Sequence, residues 1–264
     1  MKTRYRARPL GPAAWVTLLA ITSCSDSSEP EDPIVTEGII AGHEAVAAFF
    51  SIPSSTFDLI RGNYRIFYGH TSHGSQIVTG LNMLAAEDGE YALPHFHEVG
   101  DDLGQNGDVS WATATRQFLD ARPGEYNVVM WSWCGGVSDN TEAGIQAYLN
   151  AMAQLEADYP DILFVYMTGH LDGTGTGGNL YARNNQIRNY AAQNDKILFD
   201  FADIESYDPA GNHYPNASDA CEWCSTWCAA HTCPSCGSCA HSHCFNCYQK
   251  GKAFWWMMAR VAGR

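Results

Sequence analysis

The segment 65–80, RIFYGHTSHGSQIVTG, places hydroxyl and imidazole side chains together in one short turn. An apolar run ends at Gly69, and apolar residues at helical spacing resume after the turn, so the pattern predicts a strand, a tight turn and a helix. A serine hydroxyl becomes a nucleophile when a histidine base lies beside it. The turn is therefore a candidate catalytic site, and the alternative is a polar loop that caps the helix or faces water. Its reactive side chains are His70, Ser72, His73 and Ser75.

Three further apolar runs, at 127–133, 162–167 and 196–201, also end in polar segments. Helical patterns separate them, and this alternation predicts a mainly parallel sheet with helices on both faces, in a flavodoxin-like three-layer α/β/α fold. In such a fold the loops at the carboxyl ends of the strands lie along one edge, where ligands bind. The polar residues after these runs are Cys134, Gly135, Gly136, His170, Asp172, Asn179 and Asp203.

Other parts of the chain are less distinctive. The segment 39–50 has the apolar spacing of an amphipathic helix. The segment 88–110 is rich in glycine and aspartate and is predicted to be a loop. The segment 250–264 is predicted to be a helix that packs on the sheet. Cys134 is interpreted as a buried thiol or as a cysteine with an unassigned partner.

The first 38 residues predict export and tethering. A basic start, a short apolar stretch at 13–21 and the sequence ITSC resemble a bacterial lipoprotein signal, which implies removal of residues 1–23 and lipidation of Cys24. An ordinary secretory signal is the alternative. Residues 24–38 are acidic and contain two prolines, as in a disordered tether. We therefore expect a single domain over 39–264, anchored by lipid in the bacterial cell envelope outside the cytoplasm.

Charge narrows the range of partners. The chain has a formal net charge of −14, and removing residues 1–23, which carry four basic and no acidic side chains, lowers it to −18. Such a chain is repelled by nucleic acid and by anionic lipid. We expect a monomer with no nucleic-acid partner and with no membrane contact besides the lipid.

Eight of the ten cysteines lie in the segment 221–247. CxxC spacings are typical of zinc sites in cytosolic proteins, but an exported chain with this density favours disulfides. The pairing of eight cysteines cannot be deduced from their spacing. They are Cys221, Cys224, Cys228, Cys233, Cys236, Cys239, Cys244 and Cys247.

The layout of residues 60–215 resembles the SGNH/GDSL hydrolases, which are esterases and lipases with a flavodoxin-like sheet. In that family a Gly-Asp-Ser turn after the first strand carries the nucleophile, and a glycine and a Gly-x-Asn-Asp turn after the next two strands complete the oxyanion hole. The segment 69–72 (GHTS) stands at the first position, Gly135 or Gly136 at the second and 169–172 (GHLD) at the third. His70 replaces the aspartate, Leu171 replaces the asparagine, and the Asp-x-x-His of the family has no match near the C-terminus. Four segments (GHTSHGSQ, WSWCGG, MTGHLDG and CAHS) also resemble an uncharacterised group of secreted bacterial proteins.

The resemblance implies acyl transfer to water by a serine esterase without a cofactor. Ser72 is the first candidate nucleophile and Ser75 the second; His241 or His213 is the base, oriented by Asp203 or Asp208. Oxyanion and substrate contacts are assigned to Gly69, His70, His73, Gly135, Gly136, His170, Asp172 and Asn179. The expected substrate is an ester, such as an acylated polysaccharide.

Two alternatives remain open. His70, His73, His95 and His97 are a candidate set of ligands for a divalent ion such as zinc, which would make the protein a metal-dependent hydrolase or lyase. The same loops would otherwise bind glycan or protein without catalysis.

Overall fold

A computed structural model describes residues 38–264. The predicted leader (1–23), the predicted lipidation site Cys24 and all of the predicted tether except residue 38 lie outside the described residues. Six parallel strands form one sheet: β1 (Ile39–Ala41), β2 (Arg65–Gly69), β3 (His95–Val99), β4 (Val128–Trp131), β5 (Leu163–Met167) and β6 (Ile197–Phe199).

Nine α-helices connect or follow the strands in the described part of the chain. They are α1 (His43–Ala48), α2 (Ser54–Asn63), α3 (Ser75–Glu87), α4 (Ser110–Asp120), α5 (Glu142–Asp158), α6 (Asn179–Gln193), α7 (Phe201–Ser206), α8 (Glu222–Ala230) and α9 (Cys244–Ala262). Helix α9 packs with α1, α2 and α3, while α4, α5 and α6 pack together in a second group. The predicted three-layer α/β/α class is confirmed.

The strand order is β1-β6-β5-β4-β2-β3. From β2 onward this is the flavodoxin-like order, with β1 added beyond β6. The chain passes from β2 to β3 on one side and then returns to β4 on the other side of β2. The carboxyl ends of β2 and β4 therefore flank the topological switch point, where open parallel sheets bind their ligands.

Strands β2, β4 and β5 are buried over nearly their whole length, as their continuous apolar runs predict. Helix α3 buries Ile77, Leu81 and Leu84 on one face, in agreement with the periodicity. No helix within residues 38–264 is long and apolar enough to cross a bilayer.

Two predictions of local structure are wrong. The segment 88–110 contains β3, an edge strand whose residues are only partly buried, so its sequence HFHEV lacks a continuous apolar run. The start of the predicted helix 39–50 is β1, and the helix begins only after Gly42. The missed strand β3 also changes the comparison with the SGNH/GDSL layout. Counted from β2, Gly135 follows the third strand and not the second, and His170 follows the fourth strand and not the third.

The predicted disulfides are confirmed. The pairs are Cys221–Cys224, Cys228–Cys233, Cys236–Cys244 and Cys239–Cys247. Among the described cysteines, Cys134 alone keeps a free thiol.

Candidate active site

The turn after β2 aims His73 at the switch point. Ser75 N donates to the carbonyl of Thr71 at 3.1 Å and Gln76 N to the carbonyl of His73 at 3.1 Å, so the turn runs directly into α3. A Cβ on Gly74 would lie 2.1 Å from Ser132 Oγ. Only glycine fits there, and its absence of a side chain lets the turn pack on the end of β4.

The turn after β4 presents Cys134 to the same point. Gly135 and Gly136 follow with φ of 78° and 64°, a conformation that favours glycine. Asn179 Nδ2 donates to the carbonyls of Ser138 and Asn140, each at 2.8 Å. Asn179, predicted to contact the oxyanion, therefore holds the loop that carries Cys134.

A continuous chain of contacts joins Cys134, His73 and Asp219. His73 Nδ1 lies 3.4 Å from Cys134 Sγ, and His73 Nε2 lies 3.0 Å from Asp219 Oδ2. Because a carboxylate only accepts, Nε2 carries the proton and Nδ1 of the neutral ring is free to accept the thiol proton. Nucleophile, base and orienting carboxylate thus stand in the order of a catalytic triad.

Burial keeps the imidazole of His73 neutral. Its side chain is only 8% exposed. Burial lowers the pKa of His73 to about 4, against the opposing effect of the hydrogen bond to Asp219 and with a smaller contribution from the neighbouring histidines. At neutral pH the ring is therefore a proton acceptor.

Two other histidines stack on His73. The ring of His170 is parallel to it with centroids 3.7 Å apart, and the ring of His241 lies 4.5 Å away. Two rings that stack on one ring must occupy its opposite faces. His241 has a left-handed backbone (φ 59°) in a turn next to the Cys239–Cys247 disulfide, which ties that turn to α9. The predicted base His241 is therefore held close to α9 by a disulfide of the cysteine-rich segment.

A fully buried ion pair supports the loops that carry these rings. Lys250 Nζ lies 2.7 Å from Glu205 Oε1, and neither side chain is exposed. Glu205 Oε2 accepts from the backbone N–H of Leu171 at 2.7 Å, and the carbonyl of Leu171 accepts from Asp219 N at 3.0 Å. Lys250 also donates to Gln76, whose amide donates to the carbonyl of Ala240. One network thereby fixes the segments that hold His170, Asp219 and His241.

Ser72 and Ser75 occupy the site in different ways from those predicted. Ser72 Oγ lies 3.1 Å from Cys134 Sγ, and this is its hydrogen-bond partner in place of a histidine. Ser75 Oγ donates to the carbonyl of Ser72 at 2.6 Å and so closes the turn. Gly69 is required for packing, because a Cβ there would lie 2.1 Å from the ring of Trp131.

The carboxylates predicted to orient the base have other partners. Asp203 Oδ2 accepts from the backbone N–H and the ring Nδ1 of His43, at 2.8 and 2.7 Å, and so holds the start of α1. Asp208 accepts from Asn212 and Tyr214 within its own turn.

Two further predicted residues also lie outside the triad contacts. His213 stacks on Tyr207 with ring centroids 4.6 Å apart. Asp172 accepts from the backbone N–H of Thr174 at 3.0 Å, as a turn residue does.

The four-histidine metal set is not brought together. His70 Nε2 lies 2.9 Å from Glu98, and His73 belongs to the triad. His97 packs against Phe118, and His95 against Tyr126. Within the described chain, the group of three or more candidate ligands with converging atoms is instead His73, His170 and Asp219.

Two residues of this contact chain, Cys134 and Asp219, were not among the predicted catalytic residues. Cys134 stood at the end of a predicted strand beside two glycines, which is a position typical of a nucleophile, and this signal was available. Asp219 had no such signal, because it lies in an irregular segment before the first disulfide, and its backbone is placed by a hydrogen bond to the distant Leu171.

A large cavity lies elsewhere in the described part of the chain. It has a volume of about 1040 Å³, its lining includes Phe50, Tyr207, Trp227 and Lys252, and no residue of the triad lines it. Because the polar groups that could react converge at the switch point, the triad rather than this cavity is the candidate for chemistry.

Comparison with known proteins does not assign the chain to a family. No protein-family model matches the sequence, and no curated protein matches it.

Proposed function

We propose that the protein is a thiol-dependent hydrolase that transfers an acyl group from an ester to water, with Cys134 as the nucleophile. The observation that carries the proposal is the contact chain from Cys134 Sγ through both ring nitrogens of His73 to Asp219. It supports the acyl-transfer class that the SGNH/GDSL resemblance implies, with a thiol in place of the hydroxyl of Ser72.

The residues perform the reaction in two halves. His73 Nδ1 takes the thiol proton as Sγ attacks the acyl carbon, and the ring then returns that proton to the leaving alcohol. Water attacks the resulting thioester with its proton passing to Nδ1, and the proton returns to Sγ as the acid leaves. Asp219 accepts from Nε2 throughout and stabilises the imidazolium that forms between the steps.

The loop after Cys134 suits a developing oxyanion. The backbone N–H that follows a nucleophile is a common oxyanion donor, and here it belongs to Gly135. A Cβ built on Gly135 would have its nearest neighbour at 4.0 Å, so no side chain crowds this turn at that point. A donor of this kind lowers the barrier by about 3 kcal/mol.

The test is hydrolysis of p-nitrophenyl acetate by the full-length chain and by two matched variants. Cys134→Ala should lower kcat/KM by roughly 10⁴- to 10⁶-fold, as loss of a triad member does. Ser72→Ala removes only a hydroxyl beside the thiol and should cost about tenfold or less. Loss of activity in Ser72→Ala with activity kept in Cys134→Ala would instead support the serine esterase.

A further inference from the structure

One ring nitrogen of His170 makes a hydrogen bond to the backbone, and the other has no assigned hydrogen bond within the described residues. Nδ1 lies 2.7 Å from the carbonyl oxygen of Leu171. A carbonyl oxygen only accepts, so Nδ1 carries the proton and Nε2 of the neutral ring presents a lone pair. Histidines that bind metals are oriented in this way, with the other nitrogen donating to a carbonyl or a carboxylate.

His170 belongs to a suitable set of ligands. One ligand atom from each of His73, His170 and Asp219 lies within 4.8 Å of the others. Two imidazoles and one carboxylate are the protein ligands of many zinc sites that keep a position open for water. The loop of His170 is itself held by Glu205 through Leu171, which gives the site a second layer of support.

We propose that His73, His170 and Asp219 bind a divalent transition-metal ion such as Zn²⁺, and that binding blocks the thiol chemistry. Metal–ligand bonds of about 2.0–2.1 Å need ligand atoms roughly 3.3 Å apart in a tetrahedral site. The two stacked rings must therefore tilt toward each other, and the half-buried position of His170 in a glycine-rich loop gives its ring room to turn.

The geometry explains why metal and catalysis exclude one another. The metal takes His73 Nε2 and the Asp219 oxygen that faces it, so the proton on Nε2 must leave. The ring then carries its proton on Nδ1, which faces Cys134 Sγ. A protonated Nδ1 cannot accept the thiol proton, so the bound ion is an inhibitor. This consequence rests on the proposed function, whereas metal binding itself does not.

The same geometry excludes Cys134 from the ligands. Nδ1 and Nε2 lie on opposite sides of the imidazole ring, and the thiol contacts Nδ1. Zinc bound to this site therefore keeps its affinity when a serine hydroxyl replaces the thiol beside Nδ1, unlike zinc bound adventitiously to a free cysteine.

The test is calorimetric titration of the chelator-treated full-length chain with Zn²⁺. We expect one site, an affinity weakened by on the order of 100-fold in His170→Ala, and an affinity within about threefold of wild type in Cys134→Ser and in the control variant His213→Ala. Absence of binding in wild type, equal binding in His170→Ala, or loss of binding in Cys134→Ser would overturn the site.

A parallel assay tests inhibition. Zn²⁺ at saturating concentration should suppress p-nitrophenyl acetate hydrolysis by wild type, while the activity that remains in His170→Ala should resist it. Full activity in the zinc-saturated wild type would overturn the inhibitory role. If no variant hydrolyses the ester, the proposed function fails while the calorimetric result stands by itself.

Discussion

At the scale of single residues, the candidate site depends on the two nitrogens of one buried ring. His73 contacts a thiol through Nδ1 and a carboxylate through Nε2, and histidine rings cover both of its faces. Burial favours its neutral form, and the hydrogen bond to Asp219 favours its charged form. A ring placed in this way can accept and return a proton at neutral pH.

Replacement of Asp219 separates its effect on the orientation of His73 from any effect on substrate binding. Asp219→Asn puts an amide opposite Nε2 and no longer stabilises the imidazolium, so kcat should fall by about 10²- to 10⁴-fold with little change in KM. The matched control is Asp172→Asn, because Asp172 accepts only within its own turn and the amide oxygen keeps that role. Steady-state kinetics would contradict the triad if both variants kept near wild-type kcat.

Part of the site was predictable at this scale. Ser72, His73, His170 and His241 were selected because they follow predicted strands or lie among the disulfides, and the structure brings all four together. The predicted carboxylates contact neither His241 nor His213, because reactive residue types alone do not show which side chains pair. Asp203 and Asp208 have the right chemistry, but their hydrogen bonds go to α1 and to a local turn.

At the scale of elements, the helix that follows His73 is held against α9 by two glycines. A Cβ on Gly80 would lie 1.9 Å from the carbonyl oxygen of Cys247, and a Cβ on Gly251 would lie 2.5 Å from the backbone of Gly80. The neighbouring atoms belong to the backbone and cannot turn away as a side chain does. The close approach of α3 and α9 therefore requires glycine at both positions.

Gly80→Ala should destabilise the fold by about 2 kcal/mol or more, because the methyl group forces the two helices apart. Gly62→Ala is the matched control: it lies in helix α2, nothing lies within 4 Å of its built Cβ, and it should stabilise by roughly 0.5–1 kcal/mol. Urea denaturation measures both changes. Equal shifts of the two midpoints would show that the helices do not depend on this contact.

Elements were predicted best where burial is complete. The continuous apolar runs of β4 and β5 and the periodic faces of α3 and α5 gave the right element types. Strand β3 was missed because an edge strand is paired on one side only and carries half-exposed, mixed residues. Local composition there resembles a loop, and only the neighbouring β2 makes it a strand.

At the scale of the whole molecule, the buried state of His73 links folding to pH. Its pKa in the folded protein is about 4, below the usual 6.5 or so of an unfolded chain. Between these values the unfolded chain takes up a proton that the folded chain does not, so the stability contribution is complete above about pH 6.5 and is lost as the pH falls toward 4.

We compare the free energy of unfolding of wild type with that of His73→Gln. The wild-type value minus the variant value should fall by about 3 kcal/mol between pH 7 and pH 4. Titrations common to both chains cancel in this difference, and a chelator keeps metal out. An NMR titration of the His73 ring gives a second readout, with an expected midpoint near 4. A constant stability difference together with a midpoint near 6.5 would contradict the burial of this ring.

The whole molecule also explains why the site combines distant segments. The parallel sheet supplies Cys134, His73 and His170 from the carboxyl ends of three strands, while the disulfide-bonded segment and the residues just before it supply His241 and Asp219. The sheet edge could be predicted from alternation of elements. The return of residues 219–241 to that edge could not, because eight cysteines do not show their pairing.

The proposed reaction requires that Cys134 form the covalent bond to the acyl group. The most direct measurement is mass spectrometry of the full-length chain quenched during turnover of p-nitrophenyl acetate, followed by peptide mapping. We expect one acetyl group on Cys134 and none in Cys134→Ala. An acetyl group on Ser72, or turnover without any label on Cys134, would contradict it.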